Sequence, residues 1–568
     1  MNSLILEQEF AEACQAYGLL VEPHQQDLLL QWDRLPAETG QLLDQAGLAR
    51  IPRSALSSPS DLASLLRRIE ELAESQPGLF RLRPVERPHS PAAMPRSSAW
   101  LERYYGEMAF SPQNERKPAV IDHGRSRGPM IASIDSEPLV FFDASSQIAT
   151  HSWGLNPPAV LESMALGRFG SDPIANPDPT DEVVDALDDF ANALKVRTDG
   201  HFDHVAFANS GAEANEKALH IAQRSGRGGQ KLLAFKGSFH GRTLLPLHGT
   251  WNPVKRTPFE LTGFEACWLA YPRKLEPFAQ ASMPAGWISA WRTGKVTASE
   301  HWVEASAQMT PDEQSLFLEE VQILLEAEAQ LSSEAIFAVL IEAMQGEGGD
   351  NHLSSRFLSA LLAICRRHNV PMIIDEVQTG MGLSGDLFWF QAMNLEDENG
   401  NPDAPDLVSL AKKAQLGVIL SRWPDPEPTE VQAASARRGL AYLEIYEATP
   451  TEQIAEFAAR GLEGLAAALP EGLVTNVRGR GLAWAIDLPS GAVINRMLSE
   501  RFWRGYLTYI AGQNTLRFRL NAAMDEVDWN RLMTALESSL RQMLDEVGHF
   551  DSAESFAAAV AELPPSPW

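Results

Sequence analysis

Short apolar runs alternate with longer stretches of helical periodicity along most of this chain. Segments 204–208 (His-Val-Ala-Phe-Ala), 231–235 (Lys-Leu-Leu-Ala-Phe), 335–341 (Ala-Ile-Phe-Ala-Val-Leu-Ile) and 372–374 (Met-Ile-Ile) have strand length and composition. Helical sequence lies between most of them, which predicts an α/β fold with a largely parallel sheet covered by helices. Near the other end, 515–519 (Thr-Leu-Arg-Phe-Arg) reads as one more strand.

The first hundred residues read as an added helical module. Ser58-Pro59-Ser60-Asp61 offers an N-cap, a proline at the first helical position and an acid in the first turn; Leu62, Leu65, Leu66, Ile69 and Leu72 follow at helical spacing. Pro84, Pro88, Pro91 and Pro95 then suggest an extended connector. A long insertion spans about 274–333, in which Thr310-Pro311-Asp312-Glu313 starts a helix, and it is expected to be peripheral. The end, closing on Pro564-Pro565-Ser566-Pro567-Trp568, is expected to be a mobile tail from 551. No internal repeat is visible.

Composition narrows the class. With 568 residues and 44% hydrophobic content, the chain can bury more than one core. Its 47 basic against 75 acidic residues give a net charge of −28, which argues against nucleic-acid or anionic-membrane partners but leaves room for a local phosphate site. Cys14, Cys267 and Cys365 are too scattered for a metal or disulfide framework. Neither the first residues nor any apolar stretch suggests a signal or a membrane span, so the expected location is the cytoplasm.

Chemistry concentrates at a few places. Asp375 ends the apolar run Pro371-Met-Ile-Ile-Asp375, where ligands of α/β sheets sit, and the pair Lys412-Lys413 follows. A carboxylate that keeps a pyridinium nitrogen protonated and a lysine that bonds an aldehyde are what a pyridoxal phosphate enzyme requires. Ser210, Gly211 and Ala212 lie between a strand and a helix, where backbone amides can approach an anion; a tight turn reads equally well. In the loop 237–243, Phe239 can stack on a ring and Arg242 can clamp a carboxylate, with an exposed loop as the bland alternative.

Taken in order, the segments 209–216, 237–243, 345–349 (Gln-Gly-Glu-Gly-Gly), 375–380 and 411–417 resemble the class III aminotransferases of the fold type I pyridoxal phosphate enzymes, over about 107–545. The strings Gln345 to His352, Lys412-Lys413-Ala-Gln415, Arg478-Gly-Arg-Gly481 and Leu516-Arg-Phe-Arg519 are similar to the branch of lysine 6-aminotransferases and 4-aminobutyrate aminotransferases, and Gly154-Leu-Asn-Pro-Pro158 leans toward the lysine enzymes. The resemblance implies a large cofactor-binding domain over 181–430, a small domain built from 101–180 and 431–550, and a homodimer.

It also implies residue roles. Ser210, Gly211 and Ala212 would hold the cofactor phosphate, Phe239 and Val377 would cover the two ring faces, Asp375 would meet the ring nitrogen and Gln378 the phenolic oxygen. Lys413 would bond the aldehyde and carry the proton. Arg242 would bind the carboxylate remote from the reacting amine, Arg517 the α-carboxylate of 2-oxoglutarate, and Glu347 would neutralise Arg517 when the donor brings no carboxylate there. Arg519 is placed on the opposite side of the strand. The expected activity is transfer of a terminal amino group from a lysine-like donor to 2-oxoglutarate; the alternatives are a decarboxylase or aminomutase, or a degenerate homologue acting through partners.

One departure stands out. Family members carry a Thr-Trp-Gly-Gly-Asn segment whose threonine reaches the neighbouring subunit's cofactor phosphate. Here 416–425 is much shorter, leaving Arg422, with Ser421 or Thr429 as hydroxyl alternatives, as the candidate replacement. Ala343 also stands where the family has proline.

Overall fold

The computed structural model describes residues 3–15, 17, 19–32, 35, 37–76, 79–80, 94–107, 119–135, 138–169, 181–226, 228–259, 261–272, 283–296, 302–333 and 335–564. Its centre is a seven-stranded sheet: β1 (His204–Ala208), β2 (Lys231–Phe235), β3 (Glu265–Leu269), β4 (Ile336–Ile341), β5 (Met372–Asp375), β6 (Leu407–Leu410) and β7 (Gly417–Ser421). The spatial order is β3-β2-β4-β5-β6-β7-β1, with β7 antiparallel to both neighbours and the other pairs parallel. Parallel strands are covered on both faces, which explains why β4 is an unbroken apolar run with every residue buried. The arrangement also gathers the segments after β1, β2, β4, β5 and β6 at one edge of the sheet, where the site lies.

The helix Pro311–Leu331 lies in the crossover from β3 to β4 and is no peripheral insertion. Thr310 caps it by accepting from Glu313 N at 3.3 Å, as its sequence suggests. Phe317, Val321 and Leu324 are fully buried in the main core, together with Trp287 and Trp291 of the helix Trp287–Arg292. Glu320 is buried too, accepting from Arg356 Nε at 2.5 Å and Ser354 Oγ at 2.6 Å. These contacts overturn the expectation of a peripheral segment from 274, although 273–282 and 297–301 fall outside the described residues.

A four-stranded antiparallel sheet, ordered Thr475–Arg480, Ala483–Asp487, Thr515–Arg519, Tyr509–Ala511, forms a second layer under the helices Thr451–Ala467 and Glu526–Val547. Arg517 and Arg519 stand two residues apart on one of these strands, so they share a face, and both act on Lys412 in the site. Placing Arg519 on the opposite side was therefore incorrect.

Two terminal expectations change as well. The N-terminal module is not wholly helical: the strands Leu20–His24, Asp27–Gln31 and Arg50–Pro52 form an antiparallel sheet beside the helices Ser3–Gln15, Ala37–Gln45 and Pro59–Ser75. Phe10, Leu28, Leu43, Leu62 and Ile69 share its separate core, which continues onto Leu161 and Ala165 of the helix Pro158–Ala165. Ser58 caps as expected, accepting from Asp61 N at 3.2 Å. At the other end, Ala553–Glu562 is a helix with Phe556 fully buried, so a tail mobile from 551 is wrong for this part. Pro95 begins the helix Pro95–Glu107, while Pro84, Pro88 and Pro91 lie outside the described residues. Among the described residues no helix is long and apolar enough to cross a membrane.

Candidate active site

A cavity of about 710 Å³ opens at the sheet edge and is lined by residues from the segments that follow β1, β2, β4, β5 and β6. Asp375, the last residue of β5, faces it with a nearly buried carboxylate. Its Oδ2 accepts from Asn215 Nδ2 at 2.7 Å and lies 2.8 Å from His240 Nδ1, while Oδ1 accepts from Val377 N at 2.9 Å. Asn215 is itself fixed, donating to the His240 carbonyl at 2.8 Å and accepting from Ser409 Oγ. Asn215 and His240 were missed as site residues, although both stand inside motifs already singled out.

The helix Gly211–Ser225 points its N-terminus into the same cavity. Ser210 Oγ accepts from Glu213 N at 3.2 Å, which leaves its hydroxyl hydrogen to donate elsewhere. A side chain on Gly211 would bring its Cβ within 2.6 Å of Val377 Cγ1, so only glycine lets the helix start come this close to Val377. Phe239 and Val377 both line the cavity. Gln378 Oε1 accepts from Arg519 Nε at 2.9 Å and Nη2 at 2.7 Å, leaving its amide hydrogens uncommitted.

The two lysines diverge. Lys412 starts the short 3-10 turn at 412–414 with φ of 53°, and its side chain lines the cavity, donating to the Ile148 carbonyl at 2.7 Å. Lys413 is fully buried behind the wall, where Nζ donates to the carbonyls of Gln378 at 2.7 Å and Ala149 at 3.3 Å. Burial, with Arg517 and Arg519 nearby, pulls Lys412 down to about 7. Burial and the adjacent Lys412 lower Lys413 as well. Of the two lysines, Lys412 lines the cavity and Lys413 does not.

Ile148 belongs to an unusual wall. Ser146, Gln147, Ile148 and Ala149 all have positive φ, from 46° to 59°, making a left-handed turn of non-glycine residues. Asp143 Oδ2 accepts from Gln147 N at 2.9 Å, and Ser146 Oγ donates to the carbonyls of Arg519 at 2.8 Å and Leu520 at 3.1 Å.

Arg242 lines the mouth, exposed and without an acid in ion-pair contact among the described residues. Arg517 is largely buried, and its Nη1 has no hydrogen-bond partner among them. Burial, with Arg519 beside it, holds this guanidinium below the usual arginine value. Arg519 is fully engaged, its two terminal nitrogens each 2.7 Å from Asp350. Glu347 does not pair with Arg517: its Oε1 lies 2.6 Å from Lys255 Nζ.

Residues 110–540 match the family described as aminotransferase class-III. The chain belongs to that family. This class III aminotransferase is 28% identical to an L-lysine-epsilon aminotransferase of Amycolatopsis lactamdurans over 454 residues, 74% of this chain and 92% of the relative. It is 26% identical to a 4-aminobutyrate aminotransferase of Emericella nidulans over 524 residues, 82% of this chain and 95% of the relative. A solved lysine aminotransferase of M. tuberculosis shares the fold, with a TM-score of 0.62 at 22% identity, covering 78% of this chain and 99% of the other.

The aminotransferase is accordingly a pyridoxal phosphate enzyme, and its residues fit the cofactor. One cavity offers a held carboxylate at Asp375, an amine with a lowered pKa at Lys412, and a helix start cleared of side chains at Gly211. The candidate replacements for the family's threonine do not line the cavity of their own chain. Arg422 follows β7 at the end of the sheet away from the cavity, 3.4 Å from Asp406 and 3.5 Å from Asp403. Ser421 is paired there with His204 and Leu407, and Thr429 does not line the cavity. Because β7 is antiparallel, its last residues point away from the site, which rules out Arg422 and Ser421 as ligands of the cavity in their own subunit.

Proposed function

We propose that this aminotransferase moves the terminal amino group of a lysine-like ω-amino acid to 2-oxoglutarate, with Lys412 rather than Lys413 as the reacting amine. The observation that carries the reading is a pair of guanidinium groups, Arg242 and Arg517, with no acid in ion-pair contact among the described residues, in the cavity that holds Lys412 and Asp375. An unpaired buried cation is costly, and a carboxylate ligand relieves it.

Pyridoxal phosphate supplies an aldehyde that takes the donor nitrogen and a ring that accepts the electron pair freed at the donor carbon. Asp375, oriented by Asn215, His240 and the Val377 amide, holds the proton at the ring nitrogen. Ser210, Gly211 and Ala212, at the positive end of a helix, would hold the phosphate. Gln378, whose Oε1 is taken by Arg519, would offer its amide hydrogens to the ring's oxygen. Lys412, about half neutral near pH 7, would supply the amine for the cofactor's aldehyde and, when free, the base for the proton on the donor carbon. Arg242 takes the remote carboxylate of the donor, and Arg517 takes the α-carboxylate of the acceptor.

We also infer a cytoplasmic homodimer. Leu244, Trp251, Val254 and Phe259 are exposed in the stretch following the Phe239 and Arg242 loop, the kind of apolar surface that a second copy covers. The test of the activity is a screen of ω-amino acids with 2-oxoglutarate, scored as glutamate formed. Glutamate from lysine or a near analogue is expected; activity confined to α-amino donors would overturn the donor assignment.

A further inference from the structure

Lys255 belongs to no motif read from the sequence, yet it reaches the cavity. It stands in the short helix Pro253–Arg256, set by Asn252 Oδ1, which accepts from Val254 N at 3.0 Å, and by Arg256, which donates to the Thr250 carbonyl at 3.0 Å. From this turn its Nζ lies 2.6 Å from Glu347 Oε1 and 4.6 Å from the centroid of the Phe239 ring. The ammonium is thus held by a carboxylate and by an aromatic face at once.

Glu347 is the acid over which two cations compete. It is within electrostatic reach of Arg517 but is paired with Lys255, and Arg517 keeps an unpartnered nitrogen. Were Glu347 released, pairing with Arg517 would be favourable, because the glutamate is partly exposed and free to move while the arginine is buried and unsatisfied. A glutamate seated on Arg517 would then repel any carboxylate arriving there. A glutamate held by Lys255 leaves the arginine open.

We propose that Lys255 is a specificity-determining positioning residue: it holds Glu347 off Arg517 and so keeps the cavity receptive to a dicarboxylate spanning Arg517 and Arg242. The inference rests on the acceptor reading given above. Lys255 does not touch the ligand; it acts through Glu347 and sets the balance between dicarboxylates and ligands with no carboxylate at Arg517.

The test is calorimetric titration of the cofactor-loaded enzyme with glutarate, which has two carboxylates and neither amine nor carbonyl. Lys255→Met should weaken binding roughly tenfold, and Lys255→Arg should restore it. In a Glu347→Gln background Lys255→Met should have no effect, because the competing acid is gone. An equal loss in both backgrounds would make Lys255 a direct carboxylate ligand and overturn the proposal. So would unchanged glutarate binding by Lys255→Met when the wild type binds it. A wild-type enzyme that does not bind glutarate refutes the acceptor reading itself, and the inference with it.

Discussion

His240 Nδ1 lies 2.8 Å from Asp375 Oδ2, with the imidazole fully buried and its Nε2 lacking a partner among the described residues. A histidine placed this way has one polar task, to fix the orientation of the aspartate. Asp375 in turn receives donors from three directions, so its carboxylate is held before any ligand arrives.

Asp375→Asn should preserve the fold, because the amide has nearly the same shape, and reduce transamination by about a hundredfold or more. A neutral amide cannot hold a proton at the ring nitrogen. Circular dichroism with a glutamate-release assay separates the two effects, and near-normal turnover would remove the role assigned to Asp375.

Borohydride should trap the cofactor on Lys412. Lys412→Ala should abolish trapping, whereas Lys413→Ala should retain it while losing the bonds to the Gln378 and Ala149 carbonyls. Mass spectrometry of the reduced peptide decides between adjacent residues.

The lowered pKa of Lys412 gives a pH dependence with a definite sign. Its folded value is about 7, below the roughly 10.4 of a free lysine. The amine becomes neutral as pH rises through the folded value, so the rate of cofactor uptake should climb to about pH 8 and then level off. Between the two values the unfolded chain binds more protons, so this group's contribution makes stability rise with pH across that window. An uptake rate still climbing tenfold per pH unit at pH 9 would contradict the assignment.

Arg517→Ala should slow the half-reaction with 2-oxoglutarate by about a hundredfold while affecting the amine half-reaction much less. Pre-steady-state spectra of each half report this separately. Equal slowing of both halves would mean that Arg517 is not specific to the acceptor.

The ion pair of Glu320 and Arg356 offers a stability test away from the site. Removing one partner of a buried pair costs about 3–5 kcal/mol, so Arg356→Ala should lower the denaturation midpoint strongly. A change within the range of surface substitutions would return the helix Pro311–Leu331 to the periphery.

Much of the architecture was legible because it is local. The apolar runs marked the strands, Ser58 and Thr310 marked helix starts, and Asp375 marked a strand end at the functional edge. The failures have a common cause in geometry that spacing does not encode. That Lys412 and not Lys413 lines the cavity goes with the positive φ at Lys412, which adjacency in sequence does not announce. The pairing of Glu347 with Lys255 joins a loop and a short helix 92 residues apart in sequence. The strand Asp27–Gln31 buries only Leu28 and Leu30, an alternation hidden by Leu29. Helix Ala553–Glu562 was discounted because of the prolines beyond it, although Phe556, Ala557 and Val560 already formed a helical stripe.

The left-handed turn Ser146–Ala149 bears on the order in which the chain folds. Four non-glycine residues in this region are unfavourable by themselves, so the turn needs external bonds to persist. Ser146 Oγ finds them at the carbonyls of Arg519 and Leu520, 373 and 374 residues downstream. A segment near the first quarter of the chain therefore waits for the last strand among the described residues to be synthesised before it can settle. The wall that receives Lys412 is completed late, and a ribosome-bound chain ending before residue 515 would have the central sheet but no finished site.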